Sequence, residues 1–490
     1  MPEKIPYNKT PIVSDGEKVA IVYRQSANEL KDLPQTTLTP DGAVHPTMPN
    51  IFRVPTEGFP GVWLKRDSTP VPLSVKATKA DVGGVGGHVE VSALTQATVL
   101  DYVLRHNRMT IDGCSRPIFR SLFAHHTGDD VGITGVIDER VMEHEGAVDA
   151  LLWDALNKGA DVAGKQGLYG PGQDLKSDAF SGNIRGLGPA TVVLPLPFRA
   201  PYKERNASQT VLLATADKTE PGVYNYVTTG AYLDPNFCTG LLIAESKMAN
   251  GFIFEVVDVD TKAQALEQGA TAETLDRQME ELGKTERFIE LQGPEDTYNL
   301  ARLAMNGTRF VIARIYSRNN DDSKGALGLI ASAERLHNIK TDKGFTYGGK
   351  DDPVMLALCQ GDFPAAGEIS SPIARTPLVS GDCRGSHFLH LYPAALGEPT
   401  SYWSGPIMSM VAMSINLRSG HIGAISDQFA RGTPWDTYRA KAAEQMLDFR
   451  NAQGYKHPGT LQVSEIEYQP GYVKKMAELD KRFQRRTPTI

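Results

Sequence analysis

The chain is expected to fold as an α+β layered sandwich, with one principal domain over residues 71–490 behind an N-terminal extension, residues 1–70. Three observations predict this. Apolar runs of strand length mix with segments of helical periodicity, without the regular strand–helix alternation of a parallel barrel. With 490 residues, 41% hydrophobic and 22% charged, the chain has ample material for a large core. Composition also shifts near residue 71: before it Pro, Thr, Asp and Gly abound and apolar runs such as Val19–Tyr23 are brief.

The elements follow in order. Pro72–Thr78 is a strand that delivers Asp81 at its end. Ser92–Met109 carries helical apolar spacing behind a Ser start. FRSLFAHH and VGITGVI read as a strand pair flanking Asp129 and Asp130. Ala147–Lys165 is an amphipathic helix that runs into a Gly-rich loop. TVVLPLPF, QTVLLATA and Gly251–Val259 are β. The polar, Glu-rich stretch Thr261–Phe288 is expected to be helical, a surface insertion over about residues 261–290. Glu295–Met305 is a short helix feeding the strand Arg309–Ser317. ALGLIASAERL, PVMLALCQ and PIMSMVAMSINL continue the β content. Thr433–Gly454 is a helix with a stop glycine, and the basic tail KKMAELDKRFQRR is expected to be helical. No tandem repeat is visible.

The formal net charge of -7 and the lack of a basic stripe argue against a nucleic-acid partner. Cys114, Cys238, Cys359 and Cys383 are scattered with no CxxC spacing, so they read as reduced thiols. The start MPEKIPYNKTP lacks an apolar core, and no stretch reaches the roughly 18–20 apolar residues of a membrane span. The expected setting is the cytoplasm, with no membrane partner.

Chemistry concentrates in five short blocks that mix Asp with Gly. Asp81 opens DVGGVGGH, which ends at His88. Asp129 and Asp130 follow two histidines and Gly128, whose freedom permits the turn that would let neighbouring carboxylates reach one centre. Gly167–Asn183 contains Tyr169, Gln173, Asp174, Lys176, Ser181 and Asn183, and its backbone N–H groups could form an anion nest. Asp217-Lys218 closes a strand, pairing an acid for a cation with a base for phosphate. Tyr347, Lys350, Asp351 and Asp352 stand within six residues. Each block alone also fits a solvated turn or a surface ion pair. Clustered carboxylates with neutral oxygen donors suit Mg²⁺, several ions per site, alongside a phosphorylated substrate. A lysine beside two carboxylates stays protonated unless a metal captures them; with the metal, its amine can be released to attack a carbonyl.

Taken together and in this order, the blocks resemble the fructose-1,6-bisphosphate aldolase/phosphatase family. KADVGGVGGH, HTGDD, GLYGPGQDL, SDAFSGN, ADKTEPG, GFIFEV, KDDPV and RGSH carry the resemblance, which runs from about Val75 to about Gly471. It implies a stacked α-β-β-α fold, a homo-octamer, and a role in gluconeogenesis. It also implies one site for two successive reactions. Lys350 would form an imine with dihydroxyacetone phosphate, Tyr347 would move the proton, and glyceraldehyde 3-phosphate would be attacked. Mg²⁺ would then support hydrolysis of the 1-phosphate, with Asp81 as base, to give fructose 6-phosphate. The implied metal ligands are Asp81, His88, Asp129, Asp130, Gln173, Asp217, Asp351 and Asp352. The implied sugar and phosphate contacts are His88, Tyr169, Gly182, Asn183, Lys218, Gln360, Arg384 and Tyr468.

Three features depart from that pattern: the N-terminal extension, the Glu-rich stretch near 261–288, and Ser404 in YWSGP where the family tends to carry Asp. Loss of that Asp bears on the aldolase half of the chemistry. Two other readings therefore stand beside the bifunctional enzyme. One is a Mg²⁺-dependent sugar-bisphosphate phosphatase without useful aldolase activity; the other is a non-catalytic sugar-phosphate sensor.

Overall fold

A computed structural model describes residues 72–87, 89–168, 190–197, 208–233, 250–333, 339–341, 344–346, 353–359, 378–381, 387–399, 406–432, 434–453 and 469–487. The expected N-terminal extension lies outside them. Strands and helices mix, giving the α+β class. Labels below number the strands of the two main sheets and the longer helices.

The smaller sheet contains β1 (Leu73–Asp81), β2 (Ser121–Thr127), β3 (Asp130–Asp138) and β4 (Ala190–Pro195), in the order β2-β3-β1-β4. All its pairings are antiparallel. Nearly every residue of β1, β2 and β3 is buried, so both faces of this sheet are covered. One face carries helices α1 (Ala93–Arg105) and α2 (Glu145–Gln166). Ser92 caps α1, its hydroxyl accepting the Thr95 N–H at 3.1 Å. Ala97, Leu100, Val103 and Leu104 form the inward stripe of α1. α2 stops at Gly167, which takes the left-handed conformation at φ 70°. Lys76 points to this helical side. Its buried ammonium lies 2.7 Å from both Glu145 and Asp149 of α2. Alternation along the strand then sends Lys79 and Asp81 to the opposite face.

That face meets the larger sheet, ten-stranded among the described residues. Its strands are β5 (Ser208–Asp217), β6 (Phe252–Asp258), β7 (Glu286–Gly293), β8 (Phe310–Arg318), β9 (Lys324–Ala333), β10 (Val354–Leu358), β11 (Tyr392–Pro393), β12 (Ile407–Asn416), β13 (Ile422–Asp427) and β14 (Gln484–Arg486). The order is β11-β12-β5-β10-β9-β8-β6-β7-β14, with β13 on β12. β4 and β1 lie against β10, and β2 against β5. Helices α3 (Asn225–Leu233) and α6 (Thr297–Ala304) pack near β8. The described remainder includes α4 (Thr261–Glu267), α5 (Leu275–Gly283), α7 (Pro434–Gln453) and α8 (Gln469–Asp480).

Three expectations are corrected. The helix expected over Ser92–Met109 ends at Arg105, and Arg108–Ile111 instead forms a hairpin with Cys114–Pro117. Asp112-Gly113 at its tip takes positive φ at both positions, the signature of a tight hairpin turn. The Thr261–Phe288 stretch is two short helices, and its last residues already belong to β7. The basic tail leaves the helix at Asp480 and becomes β14, paired to β7. Ion pairing explains that last switch. Arg486 reaches Glu255 and Glu286, whose side chains are fully buried, and only an extended tail puts it there.

Arg486 is ion-paired with both buried glutamates, and Glu255 is paired with Arg314 as well. Arg486→Met should therefore destabilise the fold by about 2 kcal/mol, discounted from a fully buried pair because Arg486 is partly exposed. A lowered thermal midpoint would show it; an unchanged midpoint would mean that the Arg486 ion pairs do not hold the C-terminal strand.

Asp427, at the end of β13, accepts the N–H groups of Leu396 and Phe429 at 3.0 and 2.9 Å. Burial nevertheless pushes its carboxyl from 3.8 up to about 7. A raised carboxyl pKa means the folded state binds this proton more tightly than the unfolded chain. This contribution is fully present at low pH and is lost as pH rises from about 4 to about 7. The melting temperature of Asp427→Asn minus that of the parent should therefore climb across this window and level off above it. A flat difference would refute the shift.

Candidate active site

Register builds the site. Asp81 is paired directly with Asp130 across β1 and β3, and Asp130 with Thr127 across β3 and β2. Directly opposed residues share a face, so all three point at the larger sheet. Asp129 sits in the tight turn between β2 and β3. On the facing sheet β5 ends at Asp217, and alternation places Thr215 on the same side. The hydroxyls of Thr127 and Thr215 meet at 2.5 Å and tie the two sheets together at this end.

Gly128 sets the spacing. Its φ is +59°, and a Cβ there would lie 2.1 Å from Asp217 Oδ2. Only a residue without a side chain lets the turn come this close to the second sheet. Gly84 acts similarly from the two-residue strand Gly84–Val85 that follows β1, where a Cβ would fall 2.8 Å from the Asp129 Cβ.

Asp81, Asp129, Asp130 and Asp217 are thereby gathered in the interior with two lysines. Lys218, itself at a positive φ, places its ammonium 2.6 Å from Asp217 Oδ1 and 3.2 Å from Asp129 Oδ1. Lys79 is ion-paired with Asp130. Burial, followed by repulsion from Asp129 and Asp130, pushes the Asp81 carboxyl well above its usual range. Burial likewise raises Asp217 strongly, against the pull of Lys218, and raises Asp130 against the pull of Lys79. Asp81 Oδ1 accepts the Gly83 N–H at 3.0 Å, and Asp217 Oδ2 is buried without a hydrogen-bond partner.

Among the described residues no three His, Cys, Asp or Glu side chains are arranged to hold one ion. The donors nevertheless fit a hard divalent cation in kind. They are carboxylate oxygens under electrostatic stress, one of them unsatisfied, close together at a sheet junction. Of the residues expected at the site, Asp81, Asp129, Asp130, Asp217 and Lys218 are brought together. His88, Tyr169, Gln173, Gly182, Asn183, Tyr347, Lys350, Asp351, Asp352, Gln360, Arg384 and Tyr468 lie outside the described residues, as does Ser404. The chain resumes at Pro353, whose carbonyl accepts the Ala216 N–H beside Asp217.

Sequence reasoning missed Lys79. The signal for Lys79 was available: in the strand ending KAD, residues two apart share a face, so Lys79 had to accompany Asp81.

The fold and the site define a class: an α+β protein with a buried carboxylate–lysine centre where two sheets meet. The chain belongs to the family described as fructose-1,6-bisphosphatase, whose sequence model matches residues 72–484. It is 34% identical over 415 residues to the fructose-1,6-bisphosphate aldolase/phosphatase of Thermus thermophilus, covering 84% of this chain and 99% of the relative. The proteins of that name from Cenarchaeum symbiosum and Moorella thermoacetica are 34% and 32% identical, each over 84% of this chain and 94% of the relative.

Gly128→Ala should cost about 1–3 kcal/mol, since the new methyl meets the Asp217 carboxylate and the φ is unfavourable. Gly146→Ala, with open space and ordinary φ in α2, should be neutral or slightly stabilising. Thermal melts of the two variants check the pair, and equal effects would remove the close-approach argument.

Proposed function

We propose that the protein is a bifunctional fructose-1,6-bisphosphate aldolase/phosphatase that uses Mg²⁺. The observation that carries this reading is the convergence of Asp81, Asp129, Asp130 and Asp217 with Lys218 at one buried junction. The family match and the names of the relatives support the substrate.

Bound Mg²⁺ would supply charge neutralisation at the phosphate and activation of water. Asp81, Asp129, Asp130 and Asp217 would hold it, with His88, Gln173, Asp351 and Asp352 completing the set. Asp81 would also serve as the base during hydrolysis. Lys218 would turn its ammonium to the substrate phosphate once metal takes over Asp129 and Asp217. In the condensation, Lys350 would form the imine with dihydroxyacetone phosphate and Tyr347 would transfer the proton. Tyr169, Gly182, Asn183, Gln360, Arg384 and Tyr468 would position the sugar and phosphates. The layered α-β-β-α order, the cytoplasmic setting and assembly as an octamer belong to the same reading. So do a gluconeogenic role and the assignment of residues 1–70 and 261–290 as additions to the catalytic domain.

Ser404 favours one second reading, a phosphatase with weakened aldolase activity. Borohydride reduction in the presence of dihydroxyacetone phosphate separates the two. The bifunctional reading expects a covalent adduct at Lys350, and its absence from an active phosphatase would leave only the second. Lys350→Ala should abolish condensation, by at least about 10³-fold, while retaining measurable phosphate release from fructose 1,6-bisphosphate. Equal loss of both activities would contradict separate roles. A parent protein that released no phosphate with Mg²⁺ would end both readings.

A further inference from the structure

The lysine that sequence reasoning passed over carries a role of its own. Lys79 has no exposed side-chain surface, and its partner Asp130 is 2% exposed. Lys218, by contrast, retains 11% side-chain exposure and bridges two carboxylates. A lysine that reaches water can leave its partners when a stronger cation arrives. Lys79 has no such route.

The sheet register encloses it. Lys79 is opposed to Gly132 on β3, and Gly132 to His125 on β2. These three form one row on the face that meets the larger sheet, beside the row of Asp81, Asp130 and Thr127. Gly132 is required there, because a Cβ would fall 2.1 Å from His125 Cε1. The His125 ring therefore lies over Gly132, with Nε2 at 3.0 Å from the Thr134 hydroxyl. Burial first, then His126 and Lys79, push His125 down to about 3, so it stays neutral and adds no charge to the row. Asp130 takes the ammonium on Oδ2.

We propose that Lys79 is a positioning residue, a permanent internal cation of the acidic site. It fixes Asp130 through Oδ2 so that Oδ1 alone is presented to a divalent ion. It keeps the carboxylates together without metal, and it holds divalent affinity down so that the ion is exchangeable. This rests on the metal-dependent reading above.

Mn²⁺ serves as the probe, with full-length protein and no substrate. Binding is read by calorimetry, and stability by thermal melts in chelator. Lys79→Met should lower the metal-free melting temperature and tighten the Mn²⁺ dissociation constant by about tenfold, because one buried positive charge is gone. A purely structural lysine would weaken binding or leave it unchanged, and either result overturns the proposal. Should Lys79→Met fail to fold without metal, the neutral pair keeps the test open. Lys79→Met with Asp130→Asn should melt higher than Asp130→Asn alone, which takes from a buried ammonium the carboxylate it is paired with. A double variant melting no higher would overturn the proposal. Failure of the parent to bind Mn²⁺ would instead bring down the metal-dependent reading, and this proposal with it.

Discussion

Buried negative charge is the constraint that organises this molecule. Four aspartates are drawn to one junction, three of them under enough stress to raise their pKa. Such a group is stable only if cations enter the same low-dielectric space. Two lysines supply part of that charge from within the chain. Lys79 comes from the strand that ends at Asp81, and Lys218 from the residue after Asp217.

The scaffold serves this arrangement. Antiparallel pairing brings Asp81 opposite Asp130, so the register of one sheet already sets two of the four acids side by side. The third follows from the turn next to Asp130. The fourth arrives from another sheet, and needs Gly128 at the contact and the Thr127–Thr215 bond behind it. A methyl group at that turn would push the sheets apart where charge must be close. A second ionic network, Glu255 and Glu286 with Arg314 and Arg486, lies in the larger sheet and pins the C-terminal strand. Its carboxylates face arginines. The acidic junction sets four carboxylates against two lysines, with Asp217 Oδ2 unsatisfied.

Much of the local structure was readable in advance. The strand before Asp81, the hairpin around Asp129 and Asp130, the helix ending at Gly167 and the strand ending at Asp217 all stand where their patterns put them. Where the reading failed, tertiary partners or short turn signals had won. Asp112-Gly113 turned a presumed helix end into a hairpin. The tail RFQRR has helical composition, yet buried glutamates across the sheet hold it extended.

The residue types and their order determined the chemistry on offer: hard oxygen donors, lysines and glycine-rich turns, in a pattern specific enough to resemble one family. They also determined which residues share a strand face, since that depends only on the two-residue period. The meeting of Asp217 with Asp129, and the capture of Asp130 by Lys79, were decided by the tertiary structure alone. Those contacts depend on how two sheets pack and on which strands neighbour each other. Neither is written in any local stretch of chain.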